Sequence, residues 1–317
     1  MYATVYLNLV HLPYRNCNLK YSHEIGEYIM KFFKLTASAL ATATTLTVTS
    51  SAFAQDLKIQ SFLAKPEHFG VTSTLIEGDK EVLLVNTQFS KSEALRIAAD
   101  ILDSGKTLKT IFVSYGDPDY YFGLDVFKQY FPNVKIIATP ETVKHIQDTQ
   151  ALKVKYWGPQ MGANAPSQII VPQVYTAKTL KLENESIEIK GKKELTYLWI
   201  PSSKAVVGGI PVSSGIHLWM ADTPKVKDRN EVIQTLENIK ALQPQTVVPA
   251  HMVEGAPQGL DAVNFSIDYL KSYEKAVKVS KNAGELSQLM QKQYPTLKSV
   301  DSLELGAKVV KGEMQWP

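Results

Sequence analysis

Between residues 57 and 152, short apolar runs alternate with amphipathic stretches. Residues 57–64 and 71–76 alternate apolar and polar positions in the two-residue period of a strand. Glu77-Gly-Asp-Lys80 is a turn signal and Val82–Val85 a continuous apolar run, so a hairpin is predicted there. Residues 92–102 place apolar side chains at 94, 95, 97, 98, 101 and 102, the stripe of an amphipathic helix that Gly105 would end. Strands at 110–113 and 134–138 alternate with helices at 123–130 and 141–152, the second opened by Thr139-Pro140. This alternation predicts a layered α/β sheet. Residues 153–175 are rich in proline, glycine and aromatics, with Trp157-Gly-Pro159 and Asn164-Ala-Pro166, and read as a long irregular loop covering a pocket. Strands follow at 179–190, 194–200 and 204–208, then a helix at 229–241, a strand at 246–249 and a mostly helical tail over 259–310. The whole predicts two sheets face to face with helices outside.

The first 54 residues are of another kind. Met30-Lys-Phe-Phe-Lys34 is basic, residues 35–51 are uncharged and small or apolar, and Ala52-Phe-Ala-Gln55 is a small-x-small cleavage pattern. That order is a secretory signal peptide over 30–54, with residues 1–29 a disordered stretch from an upstream start and 55–317 the folded domain. Cys17 is the only cysteine, so the exported part would hold neither disulfide nor thiolate ligand. Its expected home is a bacterial periplasm or the medium. Residues 1–54 carry four Lys/Arg and two Asp/Glu, so the remainder of this chain of formal charge +3 is close to neutral. No nucleic-acid surface and, after cleavage, no membrane partner is expected; a small molecule is. The sequence says nothing of oligomeric state.

Chemistry concentrates in Ser114-Tyr-Gly-Asp-Pro-Asp-Tyr-Tyr-Phe-Gly123, which follows a buried strand and opens a helix. Asp117 and Asp119 are two residues apart, and such a pair repels unless a cation lies between. Asp117-Pro118 also fits an N-cap followed by a first-turn proline. His251 follows a strand, and His217 and Asp222 share the segment Ser214–Asp222. His68 and His145 read as surface residues. Tyr115, Tyr120, Tyr121, Phe122, Trp157 and Trp219 supply either ordinary packing or an aromatic pocket with hydroxyl donors.

The order of elements, with Val85-Asn-Thr87, Val113–Gly123, Ala205-Val-Val-Gly-Gly209 and Val247-Val-Pro-Ala-His-Met252, resembles the metallo-β-lactamase superfamily. The resemblance implies a four-layer αβ/βα sandwich with its site at one edge of the sheets. It also implies metal ligands, few of which are present. Tyr115, Asp117 and Tyr120 stand at three motif histidines, and Gly209 stands at the bridging aspartate. Only Asp119 and His251 match as they are, and no histidine occurs between 146 and 216. A standard dizinc centre is not expected. Asp117, Asp119 and His251 leave room for one divalent ion (zinc, manganese or iron), with an oxygen-rich set favouring the harder ions. The resemblance thus implies a divergent hydrolase with a mononuclear or metal-free site, acting on an ester, lactone or amide of a small molecule. Asp119 and His251 would be its working pair, Tyr115 or Tyr120 a proton donor, and Trp157, His217, Trp219 and Asp222 the substrate pocket. The alternative is a non-catalytic periplasmic binding protein with an aromatic pocket.

Overall fold

The computed structural model describes residues 57–316. The predicted early start at 1–29 and signal peptide at 30–54 lie outside the described residues.

Six strands form the first sheet in sequence order: β1 Lys58–Leu63, β2 Thr72–Glu77, β3 Glu81–Val85, β4 Thr107–Val113, β5 Lys135–Ala138 and β6 Gln173–Val174. β1, β2 and β3 are antiparallel neighbours, and β3 to β6 run parallel. The crossovers are helical: α1 Lys91–Asp103, then α2 Pro118–Tyr121 with α3 Leu124–Tyr130, then α4 Pro140–Met161. The second sheet holds β7 Thr179–Leu182, β8 Glu185–Lys190, β9 Tyr197–Ile200, β10 Ala205–Val207 and β12 Thr246–Val247, in the order β12-β10-β9-β8-β7. Two short strands, β11 Ser213–Ser214 and β13 His251–Met252, pair in parallel beside it. Helices α5 Val226–Ala241, α6 Leu260–Val279, α7 Ala283–Gln293 and α8 Val300–Val310 complete the chain.

The layering follows from the two-residue period. In β3, Val82 and Leu84 face one apolar cluster with Ile97 and Ile101 of α1, whereas Leu83 and Val85 face another. In β9, Leu198 and Ile200 join Leu83 and Val85, whereas Tyr197 and Trp199 pack with Leu236 of α5 and Leu270 of α6. Successive side chains of a strand point to opposite faces, so three stacked clusters make four layers: helix, sheet, sheet, helix. This is the αβ/βα sandwich expected from the sequence.

The helix starts were legible. Ser90 accepts from the Glu93 amide at 3.4 Å at the start of α1, and Thr139 accepts from Thr142 at 3.3 Å before Pro140 in α4. One helix end was not. Residues 153–161 continue α4 instead of opening an irregular loop, and Trp157-Gly-Pro159 lies in its last turns. Pro159 sits near the helix end, where losing one backbone donor does not stop the preceding turns. The chain turns only at Gly162, whose φ is +55°.

Candidate functional site

The loop after β4 is fixed from its neighbour. Asn86, just past β3, accepts from the Ser114 amide at 2.9 Å and the Ser114 hydroxyl at 3.0 Å. Asn86 and Gln88 both take positive φ, 63° and 74°, a conformation costly for residues with side chains. Gly123 closes the segment: a Cβ there would lie 1.9 Å from the Thr87 carbonyl oxygen, so only glycine lets α3 approach the end of β3. Between these anchors Asp119 enters α2 in its first turn and is buried. His251 reaches it from β13, which Thr72 holds by donating its amide to the Ala250 carbonyl at 2.8 Å and its hydroxyl to the Pro249 carbonyl at 2.6 Å, and which the Met252 amide ties to the Gly70 carbonyl at 2.9 Å. His251 Nε2 lies 2.8 Å from Asp119 Oδ2. A carboxylate can only accept, so a hydrogen belongs on Nε2, and in the neutral imidazole Nδ1 is then the nitrogen with the lone pair. The Tyr120 ring meets the imidazole edge-on at 5.9 Å.

Asp117 has another environment. It occupies the N-cap position of α2, yet its side chain makes no capping hydrogen bond. The carboxylate instead forms a close ion pair with Lys153 of α4, a buried lysine, and stands 3.7 Å from His145 Nε2. Glu194 holds His145 from behind, 3.0 Å from Nδ1. Burial works against charge on His145, but the hydrogen bond to Glu194 and the carboxylate of Asp117 prevail and raise its pKa. Asp222 shares a hydrogen bond with Asp117, and its pKa is pushed up to about 7 by burial first and the Asp117 charge second. The Asp222 oxygens are taken by two indole donors, Trp219 Nε1 at 2.7 Å and Trp316 Nε1 at 3.1 Å.

Asp119 and His251, and with them Asp117, Lys153 and Asp222, line one cavity of about 1810 Å³, well above the roughly 300–1,000 Å³ usual for small-molecule sites. Its wall is an unbroken aromatic chain. Trp219 and Trp316 meet at 5.1 Å between centroids, Trp316 and Tyr156 at 6.5 Å, Tyr156 and Trp157 at 4.8 Å, and Trp157 and Phe69 at 5.3 Å. Leu63, Phe69, Leu152, Tyr156 and Met314 line it while remaining exposed to solvent.

The structure therefore gathers Asp117, Asp119, His251, Tyr115, Trp157, Trp219 and Asp222 around one space. Several expectations change. The side chain of Asp117 does not cap a helix. His145 is not a surface residue but part of the Asp117 cluster, and His68 is half-buried, 3.3 Å from the Ser90 hydroxyl and 3.6 Å from Glu93. His217 lines the cavity, but its Nδ1 is bound to the Tyr269 hydroxyl at 2.9 Å, and burial lowers its pKa. Tyr115 and Tyr120 have phenol pKa values pushed well up by burial, then by nearby carboxylates. Each holds its proton tightly, which makes it a hydrogen-bond donor rather than an acid. The Tyr120 hydroxyl is buried without a hydrogen-bond partner. Lys153, Glu194, Tyr156 and Trp316 were missed. The spacing of His145 and Lys153, two i+4 steps on one helix, was the available signal.

The donor set does not suit a metal ion. Among the described residues no group of three or more His, Cys, Asp or Glu side chains is arranged to hold one. Asp119 and His251 satisfy each other, and Asp117 is engaged by an ammonium, whereas a bound divalent ion asks for about four donors.

Residues 67–191 match the metallo-beta-lactamase superfamily. No curated protein matches the chain. Two solved structures are similar at a distance. TMB-1 is 15% identical with a TM-score of 0.46, over 69% of this chain and 99% of its own. A metallo-beta-lactamase from Pontibacter korlensis is 12% identical with a TM-score of 0.45, over 68% of this chain and 99% of its own. The family match runs through the strands, the loop and the helix that carry Asp117, Asp119 and Lys153.

Proposed function

We propose that this chain is an exported hydrolase-type protein that works without a metal ion on an ester, lactone or amide carried by a largely apolar small molecule. The observation behind the reading is the Asp119–His251 pair at 2.8 Å in the wall of the large aromatic cavity. Asp119 fixes the imidazole through Nε2, and Nδ1 takes a proton from a water molecule as its oxygen adds to the substrate carbonyl. Tyr115, which lines the cavity, is the candidate donor to the oxygen that gains charge, a role open to a phenol that keeps its proton. As the tetrahedral adduct collapses, the proton on Nδ1 goes to the leaving alkoxide or amine, which returns the histidine to its starting form. The aromatic wall holds the apolar part of the substrate. Export rests on the segment 30–54.

A series of p-nitrophenyl esters of increasing chain length tests this. Turnover that resists chelators, rises with chain length and disappears in His251→Ala and Asp119→Ala supports the reading. The second reading, a binding protein, is favoured by the same cavity. It predicts no turnover and tight uptake of an apolar fluorescent probe, unaffected by either substitution and weakened by Trp157→Ala.

A further inference from the structure

Asp117 and Asp222 meet carboxyl to carboxyl in a corner of the cavity, an arrangement that needs a shared proton or a positive charge. His145 aims Nε2 at the same corner and is braced from behind by Glu194 at 3.0 Å. These groups gather negative charge in one place, yet among the described residues they are not arranged to hold a metal ion. The corner is already filled. Lys153, buried near the middle of α4, delivers its ammonium onto Asp117, and its charge also acts on Asp222.

We infer that Lys153 is the resident cation of this cavity, holding Asp117 and Asp222 together. Lys153 is a positioning residue. It keeps Asp117 in place, Asp117 and Lys153 hold Asp222, and Asp222 accepts the indole donors of Trp219 and Trp316, which form one end of the aromatic wall. The cavity is thus shaped by a side chain of the protein itself, and its integrity does not depend on metal supply. This stands whether or not Asp119 and His251 turn over a substrate, because it concerns Asp117 and Asp222 and neither of that pair.

The experiment is cation rescue. Melting temperature and tryptophan emission are measured for the purified protein, Lys153→Ala and Lys153→Met, each with no addition, with ethylammonium chloride, with manganese chloride and with a chelator. The unaltered protein should ignore all additions. Lys153→Ala should melt lower with shifted emission, and ethylammonium should restore both, because it can enter the vacated space, whereas manganese should not. Lys153→Met fills that space with an uncharged chain, so it should melt lower without rescue by ethylammonium. If Lys153→Ala does not fold unaided, refolding from urea with and without ethylammonium reads the same effect. A metal requirement in the unaltered protein overturns the inference. So does a Lys153→Met variant as stable as the parent, or a Lys153→Ala variant that ethylammonium does not restore.

Discussion

Asp117 and Asp119 lie two residues apart in one loop and face the same cavity, yet they have opposite kinds of partner. Asp119 meets an imidazole at 2.8 Å and Asp117 meets an ammonium. A neutral imidazole donates at one nitrogen and accepts at the other, so the Asp119 pair can pass a proton. A lysine ammonium has donors and no acceptor lone pair, so the Asp117 pair can only supply charge. One end of the cavity floor is equipped for acid–base work, and the other is a fixed electrostatic clamp. The largest effects should follow from breaking that division at either end.

At the acid–base end, His251→Ala removes the base nitrogen Nδ1 together with the Nε2 donor that Asp119 holds. Turnover of a long-chain p-nitrophenyl ester should fall about 10²–10⁴-fold, the usual range for a lost general base, and a loss of stability is the secondary readout, because Asp119 is left buried without its partner. Equal rates in variant and parent would transfer catalysis, if any, away from this pair. At the clamp end the order reverses. Lys153→Met leaves Asp117 beside Asp222 with only His145 as a source of positive charge, and breaking a buried pair from one side costs about 3 kcal/mol, read from urea unfolding. Adding Asp117→Asn should recover much of that loss, because the uncompensated charge is then gone. A cost of about 0.5 kcal/mol, the level of a surface substitution, would mean that water already screens the pair.

The same division explains what could be read from the sequence. The layers were legible because β3 and β9 carry continuous apolar runs whose alternate residues serve two cores, and because Ser90 and Thr139 are good caps. Asp119 and His251 were legible as motif positions near the ends of strands. The clamp was not. Trp157-Gly-Pro159 carries strong turn residues, and ending α4 at Leu152 hid Lys153 by one residue. A proline in the last turns costs a helix little, and local propensity gave no sign that packing would hold the extra turns. Trp316 was hidden for a different reason: nothing local announces that a residue near the chain end returns to Asp222, 94 residues away.

Asp222 offers a subtler way to sharpen the comparison. Its pKa of about 7 stands above the ordinary 3.8 of an unfolded aspartate. The folded protein therefore binds this proton more tightly than the unfolded chain. The stability it contributes is complete below about pH 3.8, is lost as pH rises towards 7, and stays lost above. Asp222→Asn keeps an uncharged group of the same shape and removes that slope. At one pKa unit to about 1.4 kcal/mol, the variant should gain on the parent by about 2 kcal/mol or more between pH 4 and pH 7, and hold that gain above. Unfolding free energies measured across this range decide it. A gap that does not vary with pH would place the Asp222 proton elsewhere.

The smallest effect isolates one indole. Trp316→Phe keeps an aromatic ring against Trp219 and Tyr156 but deletes the donor to Asp222 Oδ1. A hydrogen bond to a charged acceptor contributes about 1.5–3 kcal/mol and one to a neutral acceptor about 1 kcal/mol. The cost of Trp316→Phe should therefore be larger at pH 8, where Asp222 is mostly ionised, than at pH 5, where it is mostly protonated. In the Asp222→Asn background that difference between the two pH values should vanish. Urea unfolding of the two single variants and the double variant at both pH values measures it directly. A cost that is equal at pH 5 and pH 8 would show that ring packing, not the carboxylate, holds the chain end against the cavity wall. The Asp117–Lys153 clamp would then end at Asp222 instead of reaching the aromatic wall.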